Sequence, residues 1–242
     1  MTARALIIFA MEREARCLLG EGQPRGIRSQ FPYVVFDSGE AVGIVSGIGG
    51  KWAADAASWG IREFQPELVI SAGFAGALRG EVEVGSCVRP EWVIDSETQE
   101  RFPGGGSEGV LVTAPAIAGI HHKHALASRY SACAVDMEAA AVARAAREQG
   151  IRFAAVKAIS DGIGTNLPPL DRFIDPKGRF EEVRFVTWAA IRPWSWPALF
   201  ELARGTRAAN LELGRAVRNL LQQELPGRGE RLSSSAAITT NR

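Results

Sequence analysis

The stretch Leu68-Val-Ile-Ser-Ala-Gly-Phe-Ala-Gly-Ala-Leu78 decides the fold. Its first five residues, Leu68–Ala72, are an almost unbroken apolar run, the pattern of a strand covered on both faces. Phe153–Ile159 repeats that pattern, so these two are expected to be central. Working outward, short strands are predicted at Ala5–Phe9, Tyr33–Phe36, Ala41–Val45, Ser86–Ile94, Gly109–Thr113 and Ala132–Val135. Helical, often Ala-rich stretches alternate with them at Glu12–Leu19, Lys51–Phe64, His121–Ser128, Met137–Gln149, Phe180–Arg192 and Trp196–Glu224. Alternation of this kind predicts an α/β protein, with a central, twisted, mostly parallel (mixed) sheet flanked by helices. Residues 1–225 are read as one domain and 226–242 as a flexible tail. Residues 101–107 read as a flexible surface turn, and 161–179 as a long loop leaving a central strand.

Composition narrows the function classes. The chain has 242 residues and a net charge of +1, too even a balance for a protein held to nucleic acid by a basic face. Cys17, Cys87 and Cys133 are odd in number and widely spaced, which suits reduced thiols in a cytoplasm and offers no zinc framework. The apolar start stops at Glu12, too soon for a signal peptide, and no run is long and apolar enough to span a membrane. The histidines fall in His121-His122-Lys123-His124. With no carboxylate or thiol at ligand spacing, that segment reads as a solvated surface rather than a metal site, so no metal and no cofactor is expected.

Two glycine-rich segments follow strands. Ser46-Gly-Ile-Gly49 enters a helix, where free amides favour anions, and Ala72-Gly-Phe-Ala-Gly76 follows a central strand where open sheets build their ligand crevice. Each is equally well a plain tight turn. Neither the phosphate loop G-x-x-x-x-G-K-[ST] nor G-x-G-x-x-G is present, which sets aside a nucleotide kinase and a dinucleotide dehydrogenase. Glu14, Glu138 and Asp161 each follow a strand. In a parallel sheet such residues share one edge, so the three carboxylates are candidates for a common site. Asp136 and Glu138 could equally be first-turn acids favoured by a helix dipole.

Five blocks then carry a resemblance: Ala10-Met-Glu-Arg-Glu14, Ser46-Gly-Ile-Gly49, Ala72-Gly-Phe-Ala-Gly-Ala-Leu78, Val135-Asp-Met-Glu-Ala139 and Lys157-Ala-Ile-Ser-Asp161. In this order they resemble the purine nucleoside phosphorylase and nucleosidase superfamily. The particular likeness is to 5′-methylthioadenosine/S-adenosylhomocysteine nucleosidases and to the hopanoid-associated phosphorylases. The resemblance implies cleavage of an N-glycosidic bond in an adenine nucleoside with a bulky 5′ substituent, adenosylhopane being the most specific expectation. Asp161 would be the acid that protonates the leaving purine, its pKa raised by burial, with Ser160 orienting it. Glu138 would grip the ribose hydroxyls, Met137 would lie against the sugar, and Glu14 would position the attacking water. Ser46, Gly73, Phe74 and Lys157 would complete the substrate site.

Lys157 stands where nucleosidases carry Arg, and Phe74 where the family often has a small hydroxyl residue. Inorganic phosphate as co-substrate is therefore left open against water. A homodimer is implied by resemblance alone. The aromatic cluster Trp188, Trp194 and Trp196, with Arg192, Pro193 and Phe200, is expected to join the Leu167–Phe180 loop as an apolar mouth for a lipid-linked nucleoside, or to touch a membrane interface peripherally. Two other functions stay in view: a salvage nucleosidase for the small thio-nucleosides, and a nucleoside-binding protein without turnover.

Overall fold

The two strands expected at the centre lie side by side. In the computed structural model, which describes residues 3–16, 27–30, 33–37, 41–190 and 196–225, β5 (Leu68–Ala77) and β11 (Arg152–Asp161) pair in parallel along nearly their whole length. β1 (Ala5–Phe9) lies on the other side of β5, also parallel, followed by β4 (Ala41–Val45), β3 (Tyr33–Asp37) and β2 (Ile27–Gln30). Beyond the far end of β5 come β10 (Ala134–Asp136), β9 (Val110–Thr113), β7 (Trp92–Asp95) and β8 (Arg101–Pro103), while β6 (Cys87–Val88) pairs with β11.

The helices are α1 (Glu12–Ala15), α2 (Gly50–Phe64), α3 (Ile120–Tyr130), α4 (Ala139–Glu148), α5 (Glu182–Ala190) and α6 (Trp196–Glu224). They sandwich the sheet. Alternate residues of β5 explain how: Leu68, Ile70 and Ala72 pack with Ala209, Leu213, Val217 and Leu220 of α6, while Val69 packs with Ala53, Ala57 and Ile61 of α2 and Val142 of α4. A strand covered on both faces has no solvent side, so polar alternation disappears from its sequence. Gly60 lets α2 approach closely, since a Cβ there would lie 2.6 Å from Ile44 Cδ1.

The structure corrects several expectations. β5 does not turn at its glycines but runs straight through them to Ala77. The stretch Ser86–Ile94 is two short strands, because Arg89–Glu91 leaves the ladder at Pro90. Arg101–Pro103, expected as a loose turn, pairs with β7. The long loop 161–179 contains a 3-10 turn at Leu170–Phe173. The sheet is evenly mixed, and β10 is antiparallel to β5. Cys17, Arg192, Pro193, Trp194, the expected helix beyond Arg16 and the tail 226–242 lie outside the described residues.

Candidate active site

β10 matters because the expected convergence assumed parallel strands. β1 and β11 do run with β5, so Glu14 and Asp161 leave the same edge. β10 runs against β5, but it pairs only with Gly76 and Ala77 at the end of that long strand. Its chain therefore heads back along β5 and delivers Asp136, Met137 and Glu138 to the cavity from the other side. Three carboxylates do meet, by a topology different from the one inferred.

Glu14 is buried. Its Oε2 accepts from the Met11 amide at 2.9 Å and its Oε1 from the Phe74 amide at 3.0 Å. A Cβ on Gly73 would stand 3.0 Å from Glu14 Oε1, which is why glycine occurs in mid-strand there. Glu138 Oε1 accepts from the Gly49 amide at 2.8 Å. Behind them Lys157 Nζ donates to Asp136 Oδ2 at 2.8 Å, both side chains buried. Asp136 also accepts from the Thr113 hydroxyl at 2.7 Å and from the Ala139 amide at 2.8 Å, tying the start of α4 to the sheet.

Burial pushes the Glu138 carboxyl up to about 7, with Lys157 opposing the rise and Asp136 adding to it. Burial also raises the Glu14 carboxyl, against the two amides and Lys157. For Lys157 burial disfavours the ammonium, but Asp136, Glu138 and Glu14 together outweigh it and its pKa is raised.

Asp161 lies at a bulge. Ile159 pairs with Ala75 and Asp161 with Gly76, so Ser160 is the extra residue and the carboxylate is re-aimed beside a glycine. The Ser160 hydroxyl donates to Asp161 Oδ1 at 2.6 Å. The other oxygen meets Lys123 Nζ, which also donates to the Gly162 carbonyl at 2.7 Å. Lys123 is 1% exposed, while His121, His122 and His124 are exposed. The surface reading of that segment is thus corrected at Lys123. The signal was present in the sequence: Lys123 lies three residues before the buried Leu126, on the inward stripe of α3.

A cavity of about 850 Å³ collects these groups. Glu14, Phe74, Met137, Glu138, Ser160 and Asp161 line it. Ser46, Gly73 and Lys157 are not part of its lining. The Ser46 hydroxyl bonds the Phe9 and Gly47 carbonyls at 3.1 and 2.7 Å and so shapes the glycine turn, Gly73 makes room for Glu14, and Lys157 supports Asp136 from behind. The glycine turn offers few amides to an anion: those of Ser46, Gly47, Ile48 and Gly49 go to Phe9 O, Ala10 O, Gly178 O and Glu138 Oε1.

Away from the carboxylates the lining is apolar. Leu167, Leu170 and Ile174 from the loop, Phe180, Phe185 of α5, and Trp196 with Phe200 of α6 form this part. The loop and the aromatic segment are thus brought together as expected, although Trp188 packs behind, on Phe173 and Phe185. Phe200 is 67% exposed and Val183 83%. Asn210 Oδ1, on the cavity side of α6, is buried without a partner.

A family model described as Phosphorylase superfamily matches residues 4–120 and 107–183. Among solved structures, a 5′-methylthioadenosine/S-adenosylhomocysteine nucleosidase from Helicobacter pylori is 16% identical, with TM-score 0.69, covering 92% of this chain and 99% of its own. Futalosine hydrolase of Helicobacter pylori gives the same identity, score and coverage. The 5′-methylthioadenosine nucleosidase of Arabidopsis thaliana is 14% identical, with TM-score 0.70, covering 94% and 98%. At these identities the likeness is one of fold. None of the curated proteins matches the sequence.

Proposed function

The chain belongs to the phosphorylase superfamily, and from that premise we propose that it hydrolyses the N-glycosidic bond of an adenine nucleoside bearing a large apolar 5′ substituent. The observation that carries this reading is the single cavity with Glu14, Glu138 and Asp161 at one end and an aromatic, aliphatic lining at the other. Cleavage of such a bond builds positive charge on the sugar and negative charge on the base. A catalyst therefore needs carboxylates near the sugar and a proton near the base. In this reading Glu138 holds the ribose hydroxyls, Met137 lies against the ring, Glu14 orients and deprotonates the nucleophile, and Asp161, steadied by Ser160, delivers a proton to the base.

Water is favoured over phosphate as nucleophile. The amides of Gly49 and Phe74 are taken by Glu138 and Glu14, and Asp136 and Lys157 neutralise each other. What remains near the nucleophile is the Glu14 and Glu138 carboxylates with Arg13 beside Glu14, and two carboxylates against one guanidinium favour water over an anion. The apolar end, with exposed Val186, Trp196 and Phe200 in its lining, supports a lipid-linked 5′ group such as that of adenosylhopane, and peripheral contact with a membrane. The fold shared with the Helicobacter and Arabidopsis nucleosidases over 92% and 94% of this chain keeps a second reading in view, a nucleosidase for methylthioadenosine or S-adenosylhomocysteine.

Chromatographic detection of adenine decides among these. Purified protein is incubated with adenosylhopane, methylthioadenosine, S-adenosylhomocysteine and adenosine, each with and without phosphate. Phosphate-independent release, fastest from adenosylhopane, is expected. Release confined to the thio-nucleosides would establish the salvage reading, and no release from any would leave a binding protein.

A further inference from the structure

We propose that Lys123 supplies, through Asp161, the proton that the departing base takes up. This rests on the glycosidic-cleavage reading above.

Burying an ammonium is costly unless it is well paired, and an apolar side chain at position 123 would fill the same place on the inward face of α3 without that cost. The ammonium is nevertheless there, 1% exposed, bonded to the Asp161 carboxylate and the Gly162 carbonyl. Gly76 is shaped to the pair: a Cβ there would lie 3.1 Å from Asp161 Oδ2, 3.1 Å from Lys123 Cε and 3.2 Å from Nζ. The second carboxylate oxygen accepts from Ser160. Both oxygens of Asp161 thus face hydrogen-bonding groups, Ser160 Oγ lying also 3.4 Å from the Ala75 carbonyl, and of these neighbours Nζ is the one with three hydrogens.

The step balances as follows. The bond from the sugar's anomeric carbon to the base nitrogen breaks, and its electron pair goes to the base. Asp161 takes a proton from Nζ and the base takes one from Asp161, leaving a neutral amine at Lys123. Across the sugar, the water oxygen bonds to the anomeric carbon and its proton goes to Glu14. After the products leave, Lys123 regains a proton from solvent and Glu14 releases one. The other charged groups lining the cavity are Arg13, Asp136, Glu138 and Arg207; Asp161 is the one bonded to Lys123.

Lys123→Met is the direct test, measured on the adenine nucleoside that the wild type cleaves fastest and on 4-nitrophenyl β-riboside, whose leaving group departs without a proton. For the nucleoside kcat is expected to fall roughly 10²-fold with KM nearly unchanged. The nitrophenyl riboside should keep its rate within about threefold. A wild-type-like kcat on the nucleoside, or an equal loss on both substrates, would overturn the assignment, the latter marking a purely structural lysine.

Should Lys123→Met fail to fold because Asp161 is left unpaired, the neutral pair Lys123→Met/Asp161→Asn is compared with Asp161→Asn. Equal kcat values are expected, since both lack the same relay, and a further fall in the double variant overturns it. A wild type inert toward every nucleoside would overturn the glycosidic reading itself, and this proposal with it.

Discussion

The two ends of the cavity are built by opposite means. At the closed end, Glu14 from α1 and Asp161 from β11 sit against the backbone of β5, where Gly73 and Gly76 clear the space for them, and Glu138 is held by the Gly49 amide. At the open end, α5, the start of α6 and the loop before them present mainly aromatic and aliphatic side chains, several half-exposed. The first arrangement holds charge at fixed points. The second offers area and shape, which suits recognition of an apolar group by burial rather than by direction. On the proposed function the closed end would determine which bond breaks, and the open end what is attached to the sugar.

Substitutions at the closed end should therefore act on kcat, and those at the open end on substrate preference. The largest effect is expected for Asp161→Asn, which removes the carboxylate and leaves one acceptor oxygen between Lys123 and Ser160. Single-turnover adenine release should drop roughly 10³-fold while the circular-dichroism spectrum stays native. Retention of near wild-type turnover would place the acid elsewhere. Glu14→Gln should cost about 10²-fold in kcat with little change in KM, because it touches the nucleophile and not the bound ground state.

Glu138 gives a signature of its own. On the proposed reading its carboxyl, raised to about 7, accepts from the ribose hydroxyls in ionised form only above that pH, so KM should rise as pH falls through 7. Glu138→Gln should raise KM about tenfold at pH 8 and flatten the profile. The stability effect has the opposite sign. A raised carboxyl binds its proton more tightly in the folded state, so stability falls as pH climbs from its ordinary 4.5 to about 7 and is level above. Melting curves of Glu138→Gln should lack that decline.

An effect of the same size, but confined to one class of substrate, belongs to the open end. Trp196→Ala/Phe200→Ala should raise KM about tenfold for a bulky apolar 5′ substituent and leave adenosine unaffected. An equal loss for both substrates would erase the distinction between the two ends.

Much of the fold was legible because buried strands and amphipathic helices leave periodic marks. β1, β4, α6 and the core of β11 lie where the pattern puts them. The closed end was legible only in part. Glu14, Glu138 and Asp161 could be picked out as acids following strands, yet the direction of β10 left no mark in three residues.

The glycines at 73 and 76 read as a turn because glycine is commoner in turns than in strands. Here they answer to side chains arriving from α1, α3 and β11, which local sequence does not contain. The inward position of Lys123 could be read from its spacing to Leu126, but its partner could not. Its neighbours in sequence are exposed histidines, and only the tertiary structure sets it against Asp161.

The central claim is that the closed end breaks an N-glycosidic bond with water. Cleavage of an adenine nucleoside in ¹⁸O-enriched water containing phosphate, followed by mass spectrometry of the sugar, tests it directly. The account predicts free adenine and a sugar carrying one ¹⁸O at its anomeric carbon. A sugar 1-phosphate without the label, or no adenine at all, would contradict it.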